Sequence, residues 1–239
     1  MANAETLRTG KRQVLLIPCF INDISINITQ YMNGHISMTN KIPSIPEDLA
    51  RCVEFHGHLC PGLVYGYLIA KEAMRRMNLE RSGDEEIVAV CENDSCAVDA
   101  LQVLLGTSLG KGNLIFRDFG KNAFTVLSRA KKKAYRFVRK VHYEYSGNDK
   151  KTFERLDAAA TDGTASESDQ GLLKQLKVED LLQRDFKEIF TTTEIPYEEP
   201  RYAPIEPSEP CVLCGEMTMI SKMLAAPEGL ICIPCSQKR

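Results

Sequence analysis

Cys211, Cys214, Cys232 and Cys235 stand as two Cys-x2-Cys pairs near the carboxyl end of the chain. No other feature of the sequence constrains its folding as tightly. Two residues between cysteines let the backbone turn so that both thiolates face one ion, and two such pairs complete the tetrahedral sulfur shell that zinc prefers. Gly215 follows the first pair and Pro234 lies within the second. Residues 211–239 carry too few apolar side chains for a core of their own, so a bound metal must supply much of their folding free energy. Four cysteines saturate the ion, which makes this a structural zinc site on a treble-clef or zinc-ribbon scaffold; an iron–sulfur cluster is the competing reading.

The chain has 9 cysteines in all, and its formal net charge is -2. Thiols in ligand-like spacing suit a reducing compartment, and hence a cytoplasmic location. The near-neutral balance offers no field that would draw the protein to nucleic acid or a membrane surface. The zinc-finger segment has few cations (Lys222, Lys238, Arg239) and no interleaved aromatics, which disfavours nucleic acid further. Lys11 and Arg12 precede an apolar run, Val14 to Ile21, that is too short to span a bilayer. Pro18 before Cys19 also spoils a lipoprotein cleavage signal. Residues 1–43 read as a poorly structured extension, with Met38 as an alternative start.

Residues 44–193 read as one α+β domain. Residues 44–56 pattern as a helix with Leu49, Cys52, Val53 and His56 on one face. Pro61 opens a second helix, to about Met77. Glu86 to Glu92 is a short buried strand, and a helix from Cys96 ends at Gly106. Leu114 to Phe119 and Ala123 to Ser128 read as strands joined by Gly120-Lys121-Asn122, and Ala134 to Tyr143 as another. Polar residues 146–170 read as a mobile insertion with a weak helix near Phe153 to Ala160. A further helix is expected over Leu172 to Phe190, broken near Val178. Residues 194–210 hold Pro196, Pro200, Pro204, Pro207 and Pro210 and read as an extended, semi-rigid linker to the finger.

A second constellation lies in the larger domain. His56, His58 and Cys60 fall within a few residues, and Cys60 is expected at the N-cap of the next helix. Cys96 is placed at another helix N-terminus, after Asn93-Asp94-Ser95. The positive end of a helix favours thiolate. If the two termini converge, they form an open His/Cys metal site or a redox-active dithiol. Cys19, Cys52 and Cys91 read as small buried hydrophobes. The glycines of residues 106–112 do not make a phosphate loop, because no Ser or Thr follows Lys111 and a strand comes next. Lys131 to Lys133 with Arg136, Arg139 and Lys140 read as a solvated strand face.

The stretches FHGHLCPGLVYGYLIAKEAM, CENDSCAVDALQVLLGTSLGKGNL and FRDFGKNAFTVL resemble the FmdE-like family, which takes its name from formylmethanofuran dehydrogenase. The resemblance implies a thioredoxin-like α+β core with a mixed sheet flanked by helices. It also implies a treble-clef-like zinc finger and a homodimer, in which the linker would let the fingers exchange. It carries zinc or another transition metal onto His58, Cys60 and Cys96, with His56 and Asp94 able to contribute. Three functions follow as expectations. The first is a metal-binding accessory protein of anaerobic one-carbon or molybdenum/tungsten-enzyme metabolism, with a molybdoenzyme as partner. The second is a zinc- or thiol-dependent enzyme with Cys60, Cys96 and His58 as the catalytic candidates. The third is a zinc-finger regulator of nucleic acid.

Overall fold

The computed structural model describes residues 45–140 and 142–238; the expectations for residues 1–43, Met38 and Cys19 lie outside them. Helix α1 spans Glu47–His56, with Glu47 and Asp48 in its first turn and Gly57 ending it in the left-handed conformation. It buries Leu49, Ala50, Cys52 and Val53. Helix α2, Pro61–Met77, starts on Cys60 as N-cap with Pro61 at its first position. Leu63, Val64, Ile69, Ala70 and Ala73 on α2 are fully buried, and a buried Leu or Ile contributes about 2 kcal/mol.

Strand β1, Ile87–Cys91, leads to helix α3, Ala97–Leu105, which Gly106 ends. Strands β2 (Leu114–Phe116), β3 (Ala123–Ser128) and β4 (Lys133–Arg139) follow. Beyond them come helices α4 (Lys150–Thr161), α5 (Glu167–Gln183) and α6 (Phe186–Ile189), then strand β5 (Phe190–Ile195). The sheet order is β2-β1-β3-β4-β5, with β1 and β2 parallel and the other pairs antiparallel. This is the expected α+β class, a mixed sheet flanked by helices. The expected hairpin between β2 and β3 does not form, because β1 lies between them. Buried Asn113 sets that crossover: its amide donates to the carbonyls of Asp84 and Ile87, and its oxygen accepts from Ser108 N.

Helices α2 and α3 meet backbone to backbone. A Cβ on Gly66 would stand 2.1 Å from the Ala97 carbonyl oxygen, and one on Gly62 would stand 3.0 Å from Cys96 Cβ. The two glycines, one turn apart on α2, let the N-terminus of α3 rest on the N-terminal half of α2.

The polar segment 146–170 is a helical hairpin arm rather than loop. Phe153 and Leu156 of α4 pack with Leu173 of α5, and Tyr145 stacks on Phe153 at 4.4 Å. Ser166 and Asp169 form a reciprocal cap that starts α5. The helix then runs unbroken through Val178, whose buried side chain joins the main core together with Leu181. The expected break is displaced to Arg184 and Asp185, where α6 begins.

The proline-rich segment is pinned. Arg129, buried on the sheet, donates to Glu85 O, Pro200 O and Arg201 O, and its guanidinium lies 3.8 Å from the Tyr202 ring centroid. Ala203 N donates to Glu85. Lys132 pairs with Glu199 at 2.7 Å. The basic strand face is therefore occupied within the chain, since Arg136 pairs with buried Glu92.

The last segment has a knuckle between β6 (Ser208–Pro210) and β7 (Met217–Met219). A 3-10 turn (Ile220–Lys222) leads to a hairpin of β8 (Met223–Ala226) and β9 (Gly229–Cys232), and helical turn α7 (Ile233–Ser236) closes it. Its buried apolar set is Cys211, Met223, Ile231 and Cys232. No helix among the described residues is long and apolar enough to cross a membrane.

Candidate metal centres

The carboxyl-terminal cluster follows from its two turns. Gly215 adopts φ 77 and donates its N–H to Cys211 O, which folds the first pair onto itself. Cys232 ends β9 and Cys235 sits in α7. One ligand atom from each of Cys211, Cys214, Cys232 and Cys235 lies within 4.8 Å of every other. Sulfurs about 2.3 Å from a shared tetrahedral ion stand roughly 3.8 Å apart. Cys214 Sγ and Cys232 Sγ are 3.8 Å apart. Backbone N–H groups of Cys232 and Cys214 pull the Cys211 thiol down to about 6. Hydrogen bonding to the Cys232 and Cys214 thiols pushes Cys235 up to about 12. Protons here are shared between crowded sulfurs, the positions a cation would take.

The larger domain brings together His56, His58 and Cys60, whose ligand atoms also lie within 4.8 Å of one another. His56 ends α1, Gly57 turns the chain, and Cys60 begins α2. His56 Nε2 is 3.8 Å from Cys60 Sγ, and the two imidazoles sit with centroids 4.5 Å apart. Cys96 lies outside this tight trio but beside it: a Cβ on Gly62 would be 3.5 Å from Cys96 Sγ and 3.7 Å from Cys60 Sγ. Asp94 is exposed and does not join the group.

Cys60 accepts a hydrogen bond from Leu63 N, as its N-cap position implies. The expected acidification does not follow. Burial, with the Cys96 thiol adding to it, pushes Cys60 up to about 11. Desolvation of a thiolate outweighs one helix N–H when no cation is present. His58 is held below the usual imidazole range by partial desolvation, by His56 and by Lys174. Cys52 and Cys91 are buried and raised to about 12, as expected of structural thiols.

Sequence reading missed Asp99. Its Oδ2 lies 2.6 Å from His56 Nδ1, so it fixes the ring and leaves Nε2 turned to Cys60. A carboxylate on the far nitrogen is the usual support of a metal-bound imidazole. The other residues around Cys96 are scaffold. Glu92 makes a two-point pair with Arg136, and Asn93 accepts from Ser95 while donating to Lys121 O.

Fold and donor sets together define a metal-binding α+β protein with two separate His/Cys clusters. A family described as FmdE, Molybdenum formylmethanofuran dehydrogenase operon, matches residues 55–191, and the chain belongs to that family. A protein of Archaeoglobus fulgidus described as a probable S-adenosyl-L-methionine-binding protein is 30% identical over 213 residues, which cover 85% of this chain. They cover 56% of that relative, so the chain spans little more than half its length. A solved structure, an FmdE-like protein of tungsten formylmethanofuran dehydrogenase from Syntrophus aciditrophicus, shares the fold. Its TM-score is 0.51 at 19% identity, over 84% of this chain and 98% of that one.

Proposed function

We propose that the chain is a cytoplasmic, metal-binding accessory protein. It holds a transition metal on His56, His58, Cys60 and Cys96, and a structural zinc on Cys211, Cys214, Cys232 and Cys235. The observation that carries this reading is the Asp99–His56 contact, which orients a ring nitrogen toward Cys60. A buried thiol pushed well above its ordinary range also suits a site completed by a cation. The family's name supports service to molybdenum or tungsten enzymes in anaerobic one-carbon metabolism. Val212, Leu213, Met217, Met219, Leu224 and Ile233 are exposed on the finger. That apolar face supports protein contacts, within a homodimer or with a molybdoenzyme, over nucleic acid.

Metal analysis of the purified full chain tests this. Two metals per chain are expected, falling to one in Cys60→Ser or Cys96→Ser and unchanged in Cys52→Ser. A single metal that survives Cys60→Ser would refute the core centre.

A second reading rests on the tightness of the His56, His58 and Cys60 trio with Cys96 outside it. Three protein ligands leave a metal an open position, where a bound water could be activated. Spectroscopy of a cobalt-substituted core site separates the readings. Two thiolates with no exchangeable ligand support the accessory role; one thiolate with a titratable water supports an enzyme.

A further inference from the structure

A cavity of about 570 Å³ opens between α1, α3 and the loop after α3. That volume falls within the usual range for small-molecule sites. Phe55 lines it with its side chain 57% exposed, an unusual placement for a large aromatic with nothing covering it. Arg51, Arg81 and Lys111 also line it, against the single carboxylate of Glu54.

These cations differ in how far the fold uses them. Lys111 Nζ donates to the carbonyls of Gly83 and Asp84, so it braces the loop while keeping its charge. Arg81 spends only Nε, on Val103 O at 2.9 Å. Arg51 has no hydrogen bond or ion pair to any described residue. Gln102 lines the same space, and its side-chain amide likewise has no partner among the described residues.

A planar aromatic face, unpaired guanidinium nitrogens and a free amide form a complementary set. The face stacks a flat ring, the amide reads a ring edge, and the guanidinium fork takes phosphate or carboxylate. We infer that this cavity binds a small anionic molecule built on a flat heteroaromatic ring. It adjoins the core cluster: Phe55 precedes His56, and Gln102 lies one turn beyond Asp99 on α3. The inference concerns a separate site and does not depend on metal in that cluster.

The test uses the full-length protein with AMP as probe, and with adenosine and inorganic phosphate as the two halves of its chemistry, measured by equilibrium dialysis or titration calorimetry. AMP should bind saturably in the millimolar range or below, and more tightly than either half. Arg51→Glu and Phe55→Ala alter exposed side chains and should leave folding intact. Each should weaken AMP by at least about tenfold, the size of one charge-assisted or stacking contact. Arg117→Glu, on an exposed loop that does not line the cavity, should change nothing. The inference is overturned by absence of saturable AMP binding, by adenosine binding as tightly as AMP, or by equal losses in Arg51→Glu and Arg117→Glu.

Discussion

Asp99 Oδ2 stands 2.6 Å from His56 Nδ1 across the contact between α1 and α3. An aspartate far along the chain thus fixes the tautomer and tilt of an imidazole whose other nitrogen points at Cys60. Loss of such a partner typically lowers metal affinity by about 10- to 100-fold. Asp99→Ala should therefore weaken core-site metal by that factor in a chelator competition, while the four-cysteine site keeps its metal. Equal affinity in variant and parent would show that the contact plays no orienting role.

Gly66 should tolerate no side chain. Replacing a helical glycine with alanine ordinarily gains up to about 1 kcal/mol of helix propensity. Here the new Cβ would stand 2.1 Å from a backbone oxygen of Ala97, which cannot swing aside. Overpacking of about 1–3 kcal/mol or more should win. Gly66→Ala is expected to lower the unfolding midpoint and to loosen core-site metal, because it pushes Cys96 away from Cys60. A stabilised variant would contradict the close helix crossing.

Arg129 should govern the linker. Its removal strips the largely buried Glu85 of its cation and frees the carbonyls of Pro200 and Arg201. Breaking a buried pair costs about 3 kcal/mol. Arg129→Met should thus expose residues 199–203 to protease and hydrogen exchange while the core sheet stays protected. Unchanged protection there would refute the clamp.

Stability should respond to acid through Glu86. Its carboxylate accepts from the buried Ser82 hydroxyl at 2.5 Å and from Asp84 N at 2.8 Å. The Ser82 hydrogen bond, seconded by the Asp84 amide, holds Glu86 down to about 2. A carboxyl whose folded pKa lies below its unfolded one stabilises above the unfolded value, and the gain is lost as pH falls through the folded value. The side chain is exposed, so the effect is small. Glu86→Gln should be less stable than the parent at neutral pH, with the gap closing as pH drops toward 2. A gap that widened in acid would reverse the assignment.

Much of this was legible in the sequence, and the failures have physical causes. The Cys-x2-Cys pairs, the turn at Gly57 and the N-cap role of Cys60 are local, so spacing alone reveals them. Asp99 is not local: it reaches His56 only after α2, β1 and the α2–α3 crossing are in place. Gly62-x3-Gly66 was the available signal for that crossing, since two glycines one turn apart invite close backbone approach. The β1-centred order escaped notice because Asn113 acts through backbone carbonyls, which leave no pattern in side-chain hydropathy. The α4–α5 arm looked like loop because only Phe153, Leu156 and Leu173 bury themselves in its satellite core. Strand β5, with Thr191, Thr192 and Thr193, was absorbed into the preceding helical pattern, although β-branched residues suit an edge strand.

A diffraction experiment at the metal absorption edge, on crystals of the purified full chain, addresses the two-centre architecture most directly. Two anomalous peaks per chain are predicted, one inside Cys211, Cys214, Cys232 and Cys235 and one bounded by His56, His58 and Cys60 beside Cys96. A single peak at the carboxyl-terminal cysteines, with His56 still held by Asp99 around an ordinary water, would contradict it.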